Sequence, residues 1–87
     1  MNIVKLDKRH TGHTIFTHYV TPRGTDEFLS MRNWCFDTLG IGIERDLIVS
    51  RNYHNRAQFT WAWHWNKNEN RIYFTEQTYT MFALKWV

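Results

Sequence analysis

Residues 59–65 alternate large aromatic side chains with smaller or polar ones, in the order Phe-Thr-Trp-Ala-Trp-His-Trp. Successive side chains of a β-strand point to opposite faces, so an extended backbone would place every second side chain on the same side. The large rings would then share one face, and we call them the aromatic ladder: Phe59, Trp61, Trp63 and Trp65. We expect the ladder to pack on a helix as core, with Trp65 exposed at the strand end. The ladder locates an aromatic surface but indicates no reaction.

The chain has 87 residues, enough for one hydrophobic core, so we expect a single domain over 1–87. So small a domain needs additional stabilisation, and its single cysteine, Cys35, excludes an internal disulfide. The five Trp, four Tyr and six Phe favour a core of large rings instead. Each buried ring removes about 150–250 Å² from water. We expect this short chain to leave some rings at the surface, where they contact a partner.

The first 21 residues predict a β-hairpin. Residues 2–7 and 14–21 are rich in β-forming side chains, and the polar segment between them contains Gly12.

Residues 25–39 predict an amphipathic helix, with Thr25 as N-cap and Gly40 as the stop signal. Its apolar stripe comprises Phe28, Met31, Cys35 and Leu39, flanked by Leu29 and Phe36. Arg32 lies at the edge of that stripe, where its guanidinium can reach water or an acidic partner.

The second half of the chain predicts further strands. Residues 43–50 contain a short β-prone run, Leu47-Ile48-Val49, and the basic residues 51–56 predict a loop. Residues 57–75 predict a second hairpin, with turn-forming residues at 66–70.

The C-terminal segment favours strand and helix equally over 76–81, and strand over 82–86. Taken together, the elements predict an α+β fold. An antiparallel sheet of four to five strands carries the 25–39 helix on one face.

The histidines do not form a recognisable metal motif. His10 and His13 have an H-x2-H spacing, but no cysteine pair or distant histidine pair completes the three or four ligands of a zinc site. We therefore expect no metal and no cofactor. His64 is predicted to be partly exposed on the strand face opposite the ladder.

No catalytic motif is present either, so we expect a protein that is not an enzyme. Cys35 lies within the apolar stripe and is predicted to be a small buried hydrophobe, not a nucleophile. The third functional alternative is a metal-independent ribonuclease. It would use imidazole to move protons and arginine to stabilise phosphorane charge, and its residues would be Arg51, Tyr53, His54 and Arg56.

Basic and aromatic residues on both sides of the ladder strand form the predicted binding site: Arg51, Tyr53, His54, Arg56, Trp65, Lys67 and Arg71. Protein interfaces concentrate their energy in aromatic and arginine anchors, so the leading hypothesis is a protein partner, with a homodimer also considered. The alternative is a single-stranded nucleic-acid module that stacks bases on Trp61, Trp63 and Tyr73.

Charge and hydropathy bound the cellular context. The formal charge of +3 and pI near 9.3 permit an acidic partner, although dedicated nucleic-acid binders usually concentrate more charge. No stretch approaches the roughly 20 apolar residues of a membrane span, and the N-terminus lacks a signal-peptide pattern. We expect a cytoplasmic protein with no membrane partner.

Four short motifs resemble a diffuse group of small α+β proteins encoded by large tailed bacteriophages. They are Trp34-Cys35, Leu39-Gly40, Ile72-Tyr-Phe74 and the closing Met81-Phe-Ala-Leu-Lys-Trp86. The resemblance covers about half of the chain and its motifs are structural. It implies a phage accessory protein in the cytoplasm of an infected bacterium, where such proteins bind and block a host macromolecule.

Overall fold

The computed structural model describes residues 1–50, 59–65 and 69–87. In chain order these residues form β1 (Asn2–Lys5), β2 (His18–Thr21), α1 (Thr25–Leu39), β3 (Ile43–Glu44), α2 (Arg45–Ser50), β4 (Trp61–Trp65), β5 (Asn70–Phe74) and α3 (Glu76–Trp86). The described strands build one five-stranded sheet in the order β1-β2-β5-β4-β3. Its neighbours pair antiparallel except β3 and β4, which run parallel. The predicted α+β fold and both hairpins are confirmed.

Helix α1 has the predicted bounds. Gly24, with an extended backbone, occupies the N-cap position, and Thr25 is the first helical residue instead of the cap. Asp26 and Glu27 place negative charge in the first turn, where the helix dipole favours it. Gly40 ends the helix with a φ of 91°, a conformation that glycine adopts without strain.

Residues 45–50 form a helix and not the predicted strand. The backbone N–H of Asp46 donates to a carboxylate oxygen of Glu44 at 2.7 Å, so a side chain satisfies a backbone donor of the first turn. Ile48 becomes fully buried while Leu47 stays exposed. The strand prediction for this run relied on β-propensity alone. It is wrong because burial of Ile48 against the sheet decides the conformation of the run.

Residues 76–86 also form a helix, so the strand predicted for 82–86 is wrong. The Thr75 hydroxyl accepts a hydrogen bond from the Thr78 backbone N–H at 3.4 Å, and Thr78 donates to the Thr60 carbonyl at 2.7 Å. The β-forming threonines therefore act as a cap and an anchor. Thr78 and Phe82 form the buried face, four residues apart, whereas Met81 and Leu84 point outward.

The sheet buries a cluster on each face. The face carrying α1 and α3 contains Val20, Phe28, Met31, Cys35, Trp61, Ile72, Phe74 and Phe82. The other face contains Phe16, Tyr19, Ile48, Phe59, Ala62 and Tyr73. Burial raises the pKa of the Cys35 thiol to about 12, so this thiol stays protonated at neutral pH and packs as a hydrophobe.

Along β4 the exposure of the ladder side chains increases from Trp61 to Trp65. Trp61 is fully buried, Trp63 is partly buried against the helical cluster, and Trp65 is 48% exposed. Phe59 precedes the strand and belongs to the opposite cluster, so the ladder has three members on the helical face. The prediction that most of the ladder is core and Trp65 is exposed is confirmed.

Trp61 fixes the position of the backbone between α1 and β3. Its indole N–H donates to the carbonyl of Gly40 at 3.0 Å. The six-membered part of its ring lies directly against Gly42, where a Cβ carbon would overlap ring atoms. Glycine is therefore required at position 42 for the close approach of backbone and indole.

We predict that Gly42→Ala lowers the free energy of unfolding by about 1–3 kcal/mol, because the buried indole has no room to shift. Chemical denaturation measures the change. Gly24→Ser is the control, since a Cβ carbon at Gly24 meets nothing within 4 Å and serine is a preferred N-cap residue. An equal loss in both variants would contradict this account of Gly42.

Candidate functional site

The structure describes two of the seven predicted binding residues. Arg51, Tyr53, His54, Arg56 and Lys67 lie outside the described residues. Trp65 and Arg71 are described, and they lie on opposite faces of the sheet. Arg71 pairs with His64 in the register of β4 and β5, and His64 alternates with the ladder.

Trp65 belongs to a surface that α1 completes. Its ring packs edge-on against Phe28, with centroids 5.1 Å apart. Along α1, Leu29, Arg32 and Phe36 follow at helical spacing, and Leu29 and Phe36 are exposed. We define the aromatic surface as Leu29, Arg32, Phe36, Trp63 and Trp65.

Phe36 is held in place although it is 42% exposed. Its ring meets Trp61 edge-on at 4.8 Å and Trp63 at 5.6 Å, and these two indoles are themselves 5.6 Å apart. Edge-to-face contacts of this kind stabilise one ring orientation. The exposed rings are therefore preorganised, which lowers the entropy cost of binding.

Arg32 lies between Leu29 and Phe36 in sequence and on the same face of α1. Its guanidinium carbon is 5.5 Å from the Phe28 ring centroid and 5.3 Å from that of Trp63, a cation–π arrangement. Its Nε is buried without a hydrogen-bond partner among the described residues. No carboxylate in the described part of the chain forms an ion pair with Arg32, so its charge is available to an acidic group of a partner.

Sequence reasoning singled out Trp65 from this surface and left the other members out of the predicted site. The signal was present on the helix, where Leu29 and Phe36 flank the apolar stripe and Arg32 lies at its edge. Large apolar side chains at the flank of a stripe are the ones that packing leaves partly exposed.

Two of the three proposed base-stacking residues are buried. Trp61 is fully buried and Tyr73 is 1% exposed, so neither ring has a face open to a base. Trp63 is partly buried beneath Arg32. Of the three proposed stacking residues, only Trp63 therefore has ring surface open to a base.

Arg71 is engaged in a network on the opposite face. It donates to Glu69 at 2.6 Å and to the Tyr73 hydroxyl at 3.3 Å, and its guanidinium carbon lies 4.2 Å from the Tyr19 ring centroid. Arg45 donates to the same hydroxyl at 2.7 Å. These contacts give Arg71 a structural role.

The predicted turn histidines are held by local contacts. The Asp7 backbone N–H donates to Nδ1 of His10 at 3.1 Å, and Nδ1 of His13 lies 3.1 Å from the His10 carbonyl oxygen. Within the described ranges, neither imidazole belongs to a group of three potential metal ligands.

No protein-family model, curated protein or solved structure matches this chain. Within the ranges that the structure describes, no helix combines the length and the apolar character that a bilayer crossing requires. The functional assignment therefore rests on the geometry of the aromatic surface.

We predict that Glu69→Gln makes the free energy of unfolding depend less on pH in the acid range. The hydrogen bond from Arg71 is the main cause that lowers the pKa of Glu69, so the unfolded chain binds its proton more readily than the folded chain. The resulting stabilisation is complete above the ordinary glutamate pKa and is lost as pH falls through the lowered folded pKa. Denaturation titrations at several pH values should show the wild-type advantage shrinking below about pH 5.

The control uses the Arg71→Gln background. There the same Glu69→Gln change should produce little pH-dependent difference, since the partner has been removed. A wild-type advantage that stays constant into acid would contradict the assigned role of this ion pair.

Proposed function

We propose that the protein is a non-enzymatic binding protein that contacts a partner protein through the aromatic surface. The observation that carries this proposal is the pair of exposed, rigidly packed rings, Phe36 at 42% and Trp65 at 48% exposure, with Arg32 beside them. Interface hot spots are enriched in tryptophan and arginine, and preorganised rings bind at low entropy cost.

The chemistry of the surface favours a protein over a nucleic acid. A nucleic-acid interface needs several cations that follow the phosphates, whereas the aromatic surface as defined contains the single cation Arg32. An apolar side chain would pack against the exposed rings of Phe36 and Trp65, and a neighbouring carboxylate would pair with Arg32. We therefore propose a partner that presents an apolar side chain beside an acidic one.

The resemblance to phage accessory proteins supplies the biological setting of the proposal. A protein of that group would act in the bacterial cytoplasm and occupy a surface of a host protein. Blocking by occupancy requires no catalytic group. A homodimer formed through the same surface is the related candidate.

We predict that replacing both exposed rings, Phe36→Ala and Trp65→Ala, weakens binding to the partner by about 30-fold or more, since the loss of even one hot-spot anchor typically costs about 2 kcal/mol. The partner is first captured from bacterial lysate with wild-type protein and then titrated in purified form. The matched control is Met81→Ala with Leu84→Ala, because these side chains are also exposed and lie on α3. The control should bind like wild type.

Three results would argue against the proposal. The first is equal weakening in both double variants. The second is a protein that is monomeric and repeatedly captures no stoichiometric partner. The third is oligonucleotide binding that falls steeply between about 50 and 200 mM salt and survives the ring substitutions, which would favour the nucleic-acid alternative. A dimer that the ring substitutions dissociate would assign the surface to self-association.

A further inference from the structure

Three potential metal ligands meet on the side of β4 away from the aromatic surface. Glu44 ends β3, Asp46 lies in the first turn of α2, and His64 lies in β4. One ligand atom from each residue lies within 4.8 Å of the other two. Residues from three elements therefore converge, although they are up to 20 positions apart in sequence.

Hydrogen bonds orient both carboxylates toward the imidazole. One oxygen of Glu44 accepts the Asp46 backbone N–H, while the other lies 2.6 Å from Nδ1 of His64. One oxygen of Asp46 accepts two hydrogen bonds from Arg45 at 2.7 and 2.9 Å, while the other lies 3.9 Å from the same Nδ1. One carboxylate oxygen of each acid thus lies near Nδ1 of His64, at 2.6 Å for Glu44 and 3.9 Å for Asp46.

Contacts with the core hold Arg45, the partner of Asp46, in place. The Arg45 side chain is 12% exposed and donates to the Tyr73 hydroxyl at 2.7 Å, and Tyr73 is buried in the core of the sheet. Outer-shell contacts of this kind hold metal ligands in position, and losing one typically weakens metal binding about 10- to 100-fold. Arg45 therefore has the place of an outer-shell residue that orients Asp46.

We infer that Glu44, Asp46 and His64 form a binding site for a divalent transition-metal ion, with zinc as the test ion. One imidazole nitrogen and two carboxylate oxygens are a donor set that zinc accepts, whereas magnesium and calcium prefer oxygen alone. Zinc bonds of about 2.1 Å place tetrahedral ligand atoms roughly 3.4 Å apart. The observed separations of 2.6 and 3.9 Å from Nδ1 of His64 lie on either side of that value, and all three ligand atoms lie within 4.8 Å of one another, so side-chain adjustments would bring them into position around an ion.

A metal–nitrogen bond needs the lone pair of the ligating nitrogen. The hydrogen in the close contact between His64 and Glu44 must therefore leave Nδ1 as the metal–nitrogen bond forms, and in a neutral imidazole the other ring nitrogen carries it. Three protein ligands leave a fourth position for water. The ion would tie β3, α2 and β4 together, so we expect it to raise thermal stability.

The experiment titrates zinc chloride into metal-free full-length protein by calorimetry and follows the unfolding temperature. We expect one ion per chain and a higher unfolding temperature. His64→Gln and Glu44→Gln should each weaken zinc binding at least about 10-fold. The control is His10→Gln with His13→Gln, which removes the other closely spaced histidines and should leave zinc affinity unchanged.

A measurement on wild-type protein tests the inference even if a substitution impairs folding. In nitrogen-correlated NMR spectra of the histidine rings, zinc should change the signals of His64 and leave those of His10 and His13 in place. The inference is overturned if wild-type protein takes up no stoichiometric zinc, or if folded His64→Gln and Glu44→Gln proteins keep wild-type affinity. It is also overturned if the His10 and His13 control abolishes binding.

Discussion

The buried indole of Trp61 is the contact that joins the two layers of this protein. Its N–H satisfies the carbonyl of Gly40 just after α1, and its ring lies against Gly42 just before β3. The same ring supports Phe36 from below. The end of α1, the entry to β3 and the start of β4 are therefore positioned by one side chain, and the exposed ring of Phe36 is held by the same contact.

The two faces of the sheet are packed by different kinds of contact. The helical face is closed by apolar side chains from α1 and α3, and it has more rings than it encloses. The other face combines an apolar cluster with a charged network in which two arginines share the Tyr73 hydroxyl. We propose partner contact at the surplus rings and ion binding at the acidic edge of the network.

Sequence patterns predicted the elements whose local signals agree with their packing. The bounds of α1 follow from its apolar stripe and from Gly40, and the β4–β5 hairpin follows from the alternation of the ladder. The errors fall on the run around Ile48 and on residues 82–86, which burial and capping place in helices instead of strands. Trp65 was predicted as exposed, but its companions on α1 depend on how the helix sits over β4. The convergence of Glu44, Asp46 and His64 likewise arises from tertiary structure.

Because side chains alternate along β4, the register of this strand decides which residues lie on each face of the sheet. Trp63 and Trp65 face α1, and His64 between them faces the acidic residues. A shift of one residue would send indoles into a charged environment and an imidazole beneath a helix, which inverts the chemistry of both sides at once. Insertions or deletions within Trp61–Trp65 should therefore be excluded during evolution, and variation in length would be confined to the connections between strands.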